Sequence, residues 1–181
     1  MRYLIIRACK RDEAIADRCV KSSSVINPDK IIYFAEKGEY SFDGEIIYRS
    51  FADNFLGESN VIQLFKDMKQ LPTVNDDDQV VFSDSDIIFG NYFGFDFDWG
   101  GVCDEGVIPY KDEMLRHTSG QCQVIKGSLW NKIINISDED LHEVIMASYK
   151  YEICDDIIIS IILHRENPIF KNLSEYWEHV K

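Results

Sequence analysis

Two carboxylates one residue apart, Asp84 and Asp86, directly follow the apolar run Val80-Val81-Phe82 and Ser83. In strict strand geometry residues i and i+2 point to the same face. Two anions placed so close repel each other and call for a cation between them. Carboxylate oxygens suit hard divalent ions such as Mg2+ or Mn2+, which commonly bridge protein to phosphate. The chemistry of the segment is that of a metal and phosphate site; the plain alternative is a pair of turn-forming aspartates. A second chemical group is cationic. Arg7, Lys10 and Arg11 follow the apolar residues 3–8 and offer charge to a phosphate or a base edge, or simply to solvent. A third group lies late in the chain. Glu152, Asp156, Ser160 and His164 recur every fourth residue among Ile153, Ile157, Ile158, Ile159, Ile161, Ile162 and Leu163. On a helix they form one polar stripe on an otherwise apolar, and therefore buried, surface. That stripe faces a cavity, a partner group or solvent. Asp155 and Asp156 near the helix start also favour its dipole.

Aromatic residues form a further pattern. Phe93, Phe95, Phe97 and Trp99 alternate with small or acidic residues, which is strand period. Such a stripe stacks on a sugar face or fills a core. His117, His142 and His179 have no partner pattern and read as surface residues.

These groups need elements to hold them. Residues 3–8 form an Ile-rich run that predicts a buried strand. Asp12 is placed to cap a helix over 12–23 with Ala14, Ile15, Cys19 and Val20 on one face. Strands follow at 30–35 and 45–49, a helix at 58–70, and a strand at 79–82. Strand, helix, strand, helix, strand predicts an α/β fold with a Rossmann-like, mainly parallel central sheet and flanking helices. Ligands of such sheets bind beyond the carboxyl ends of the strands. The residues there are Arg7, Ala8, Cys9, Lys10 and Arg11 after the first strand. Ser83, Asp84, Ser85 and Asp86 follow the later one. The second half predicts strands over 93–99 and 121–126 and helices over 127–134, 138–149 and 152–163.

Composition sets outer limits. The 181 residues suit a single domain, and 45% hydrophobic content gives it a core. The net charge of −13 and the lack of a large enough Lys/Arg cluster argue against a nucleic-acid partner. No run approaches the ~18 apolar residues of a membrane span. The apolar segment at the start is too short for a signal peptide, and five scattered cysteines without a CxxC pair suit reduced thiols. A cytoplasmic location is therefore expected. Homo-oligomerisation is left open.

In the context of Asp84-Ser85-Asp86 the sequence resembles the GT-A-type glycosyltransferases. The resemblance implies one domain over 1–181, with a nucleotide-binding half at 1–90 and an acceptor-side half at 91–181. It implies that Asp84 and Asp86 hold Mn2+ or Mg2+ together with the diphosphate of a nucleotide-sugar donor. Thr118-Ser119-Gly120-Gln121, followed by Val124-Ile125-Lys126, resembles the small-residue segment and strand that shape the acceptor side. Ser119, Gly120 and the aromatic Trp99 fall there. Residues 151–156 resemble the acidic segment that opens a late helix and supplies a catalytic carboxylate, here Asp156 or Asp155. His164 resembles a late histidine that completes the metal shell in some members. On a continuous helix Asp156 and His164 lie about 12 Å apart, so they cannot share one ion.

Two other readings compete. A haloacid-dehalogenase-like phosphatase would use Asp84 as nucleophile and Asp86 as acid/base. Lys126 or Lys132 would be the charge partner, with Asp155 and Asp156 as further metal ligands. Against it, 83 residues precede the motif, and Ile87-Ile88 stands where that family has Gly-Thr. The third reading is a non-catalytic domain of the transferase fold that binds a nucleotide or a protein.

Overall fold

In the computed structural model, which describes residues 1–50, 57–110, 113–148 and 153–180, the first Ile-rich run forms β1 (Arg2–Ala8). Its residues from Leu4 to Ala8 are all buried. Continuous burial on both faces marks an interior strand of a parallel sheet. After a 3-10 turn come α1 (Glu13–Ser22), β2 (Lys30–Glu36), β3 (Glu45–Arg49), α2 (Glu58–Met68) and β4 (Gln79–Asp84). Strands β3, β2, β1 and β4 lie side by side in that order, all parallel. Arg7 of β1 stands opposite Asp84 of β4, so the carboxyl ends of both strands share one edge, as expected.

The second half extends this sheet. After β5 (Ile87–Phe89), β6 (Trp99–Tyr110) and β7 (Glu113–Lys126) form a long antiparallel ribbon. β7 runs antiparallel along β4, and β8 (Phe170–Asn172) closes the far edge parallel to β6, completing a seven-stranded sheet. Helices α3 (Gly127–Ile134), α4 (Asp138–Ser148) and α5 (Asp155–His164) return over one face. The final strand β9 (Trp177–His179) pairs antiparallel with β5 in a separate two-stranded sheet.

Alternation along the strands divides the core in two. Ile5, Phe34, Val80, Phe82 and Ile125 face a cluster completed by α2 to α5. Leu4, Ile6, Tyr33, Val81 and Val124 face the other cluster, which α1 and the aromatics Phe93, Phe97 and Trp177 complete. Fully burying one such side chain contributes about 1.5–3 kcal/mol, so this pattern fixes strand register firmly.

Three local expectations need correction. Asp12 does not cap α1; its Oδ2 accepts from the Cys9 thiol at 2.6 Å, and the 3-10 turn leads into the helix. The buried face of α1 carries Ala16 and Cys19, while Ala14 is exposed. Residues 93–98 are not a strand, because Gly94 at φ +70 breaks the pleat, and Phe93 and Phe97 drop into the core instead. Tyr151 and Glu152, assigned by sequence to the start of the last helix, lie outside the described residues. No helix among the described residues is long and apolar enough to cross a membrane.

Candidate functional site

Asp84 ends β4, two turn residues follow, and β5 departs at Ile87. Burial of Ser83 and Ser85 anchors this corner and leaves the Asp84 and Asp86 side chains about one-third exposed. Arg7 shares the sheet face of Phe82 and Asp84, because it sits two residues after Ile5. Its side chain is only 4% exposed. One guanidinium nitrogen lies 2.8 Å from Asp84 Oδ1, and the other donates to Asp155 Oδ2 at 2.5 Å. Arg7 also donates to the Gly120 carbonyl and lies 5.0 Å from the centre of the Phe82 ring. One cation thus ties β1, β4, β7 and the first residue of α5 together. Burial works against its charge, but Asp84 and Asp155 outweigh that and raise its pKa.

The polar stripe of α5 packs along β7. Gly120 N donates to Asp156 Oδ2 at 3.3 Å, and Thr118 N donates to Ser160 Oγ at 3.3 Å. His164, one turn further, lines a cavity of about 230 Å3 with Trp99, Arg116 and Phe170. The steps of four along the helix match steps of two along the strand. Asp156 has two more partners: the Cys154 thiol donates to its Oδ1 at 2.6 Å, and His117 Nε2 lies 3.2 Å from its Oδ2. Burial opposes ionisation of Asp156, yet the neighbouring His117 and the Cys154 thiol prevail and hold its pKa at about 2. Burial dominates at Asp84, outweighs Arg7 and pushes its pKa up to about 6. Asp155 is likewise raised, by burial against the pull of Arg7.

His179 is the residue that sequence reasoning missed. Its register opposite Ile87 brings it back to the corner, and its Nε2 lies 2.8 Å from Asp86 Oδ2. Val180 N donates to the Asp86 carbonyl at 2.8 Å. Asp86 Oδ1 is buried without a hydrogen-bond partner. Nothing near His179 in sequence signals this; the contact spans 93 residues. His117 was missed for the same reason, since only the β7–α5 packing shows its partner.

The remaining candidates separate. Ala8 and Cys9 are buried. Lys10 turns outward to Glu13 Oε2 at 2.5 Å, and exposed Arg11 lies 3.6 Å from Asp12 Oδ1, so neither joins Arg7 at the carboxylates. Ser119 Oγ accepts from Gln121 N at 3.5 Å, one residue from Gly120 in the site. Trp99 is 1% exposed, donates to Gln123 Oε1 at 3.2 Å and pairs across β7 with Ile125, level with Val80. It is a core residue at the opposite end of the sheet from Asp84, because the ribbon starts there. His164 sits at the last residue of α5, about 13 Å along the axis from Asp155, so it cannot complete a shell at Asp84 and Asp86. The phosphatase reading loses its charge partners: Lys126 lies 3.3 Å from Asp98, and Lys132 pairs with Glu166.

Two carboxylates and an imidazole are a donor set that suits Mn2+ or Mg2+, with nitrogen favouring the former. The buried, unpartnered Asp86 Oδ1 fits such an ion. Among the described residues no three Asp, Glu, His or Cys groups are already gathered as a metal shell. Asp86 and His179 meet, while Asp84 is drawn onto Arg7.

No family model matches the chain, and no curated protein matches it in sequence. Among solved structures it is similar to the galactosyltransferase LgtC in complex with donor and acceptor sugar analogues. The TM-score is 0.55 at 15% identity, covering 94% of this chain and 73% of that one. The likeness extends over the central sheet and its flanking helices, and the chain has a GT-A-like α/β fold.

Proposed function

We propose that the protein is a metal-dependent glycosyltransferase that moves a sugar from a nucleotide-sugar donor to an acceptor hydroxyl. The observation that carries this reading is Asp86, on His179 and two residues after Asp84, at the carboxyl edge of β1 and β4 in a GT-A-like fold. Asp84, Asp86 and His179 would hold Mn2+ or Mg2+, which when bound supplies positive charge to the leaving diphosphate. The segments 7–11 and 83–86 would flank the nucleotide, and Ser119 and Gly120 would border the sugar. A carboxylate held at about 2 is a weak proton acceptor, since an effective base has a pKa near the working pH. Asp156 therefore serves better as an anchor between β7 and α5 than as general base, and Asp155 as the counter-charge of Arg7.

That engagement of both α5 carboxylates also favours a second reading, a non-catalytic nucleotide-binding domain of the same fold. A thermal-shift screen of nucleotide-sugars with and without Mn2+ tests the shared part. Ligand at about 100 times Kd adds roughly 2.7 kcal/mol, so a rise of several degrees that requires Mn2+ is expected. No shift with any donor would overturn both readings. Donor hydrolysis or transfer in the presence of Mn2+ separates the enzyme from the binding domain.

A further inference from the structure

We propose that Arg7 is a built-in counter-cation that competes with the divalent ion for Asp84 and so sets how tightly that ion is held. The inference deepens the reading of Asp84, Asp86 and His179 as a metal site and rests on it. Its basis is the geometry of the cluster. Asp84, Asp86, Asp155 and Asp156 gather four carboxyl groups at one edge of the sheet, and Arg7 is the buried guanidinium among them. Its three acceptors, Asp84 Oδ1, Asp155 Oδ2 and the Gly120 carbonyl, lie on three different elements, with Phe82 against its face. A planar fork with fixed acceptors on several sides cannot swing away as a surface lysine can.

Asp84 is shared between two demands. One oxygen is on Arg7, and the side chain remains one-third exposed, two residues before the Asp86 that meets His179. A doubly charged ion joining Asp84 to Asp86 would lie near the buried guanidinium, and like charges close together in a partly buried site repel strongly. It would also draw Asp84 from Arg7. This tension fits the observed arrangement, in which Asp86 lies on His179 while Asp84 lies on Arg7. Arg7 is a positioning residue: it acts on the ion through Asp84. Asp155 has the opposite effect, since its carboxylate shares the Arg7 charge.

Calorimetric titration of Mn2+ alone into wild type, Arg7→Gln, Arg7→Lys and Asp155→Asn tests the proposal. Arg7→Gln is expected to bind Mn2+ about tenfold or more tighter, because the competing charge is gone. Arg7→Lys keeps the charge and is expected to stay within about threefold of wild type. Asp155→Asn is nearly isosteric and is expected to bind Mn2+ at least about threefold more weakly, as Arg7 turns its full charge to Asp84. It carries the test if Arg7→Gln fails to fold. Mn2+ binding in wild type that neither Arg7→Gln nor Asp155→Asn alters overturns the competition and leaves the metal site standing. Weaker binding in Arg7→Gln also overturns it. Binding in Arg7→Gln with none in wild type supports it in its strongest form. No Mn2+ binding in wild type and Arg7→Gln alike overturns the metal site itself, and this inference with it.

Discussion

Asp86 and His179 form the smallest unit of the proposed site, and each makes a distinct demand at the residue scale. Removing an imidazole ligand should cost the ion at least about tenfold in affinity, a loss typical of disrupted metal shells. His179→Ala is therefore expected to weaken Mn2+ binding by that factor in calorimetry, while His164→Ala leaves it unchanged. Equal effects of the two would contradict the placement of His179. Protonation gives a second check. Asp84 holds its proton up to about 6 in the folded chain, against an ordinary carboxylate value near 4. The folded state then binds more protons than the unfolded one between about pH 4 and pH 6, so the Asp84 contribution to stability falls as pH rises through that window. Asp156 has the opposite sign: held at about 2, its contribution is present above about pH 4 and is lost as pH falls toward 2. Asp84→Asn is expected to flatten the stability profile between pH 4 and 6 in urea unfolding and to leave the loss below pH 4 intact. An unchanged slope between pH 4 and 6 would show that Asp84 ionises normally.

The packing of α5 on β7 decides how rigid the site is at the scale of elements. Gly120 is the close point: a Cβ there would lie 3.0 Å from Asp156 Cβ, at the start of a helix whose residues from Ile157 to Leu163 are all buried. Neither partner can yield easily, so Gly120→Ala is expected to cost about 1–3 kcal/mol in urea unfolding. It should also weaken nucleotide-sugar binding, because Arg7 loses its carbonyl acceptor when the strand shifts. A fully stable variant would mean that the β7–α5 contact is loose. Much of this scale was legible in the sequence. The Ile-rich β1 and the strand before Asp84 carry their burial in local patterning, and the fourfold spacing of Asp156, Ser160 and His164 gave one face of a helix. What that face meets was not legible. Its partner is a strand, in which Thr118 and Gly120 match the helix two residues at a time. The ribbon of β6 and β7 was only partly foreseen, because Gly94 ends the aromatic alternation before the strand begins. His179 was beyond local reasoning, since β5 and β9 are each three residues long and acquire meaning only by pairing.

The whole molecule joins two sheet halves at β4. The parallel half brings Arg7 and Asp84 to one edge, the antiparallel ribbon brings Gly120 beside them, and the last strand returns His179 to Asp86. Every part of the cluster thus depends on contacts between residues distant in sequence, and the site should be lost as a unit when the fold is lost. The central claim is that this edge binds a nucleoside diphosphate group through a divalent ion. Titration calorimetry of a nucleoside diphosphate into wild type and Asp86→Ala, each with Mn2+ and with chelator, tests it most directly. Wild type is expected to bind only with Mn2+, and Asp86→Ala to lose the Mn2+-dependent part while melting near the wild-type temperature. Equal affinity in wild type and Asp86→Ala, or binding that ignores the chelator, would contradict it.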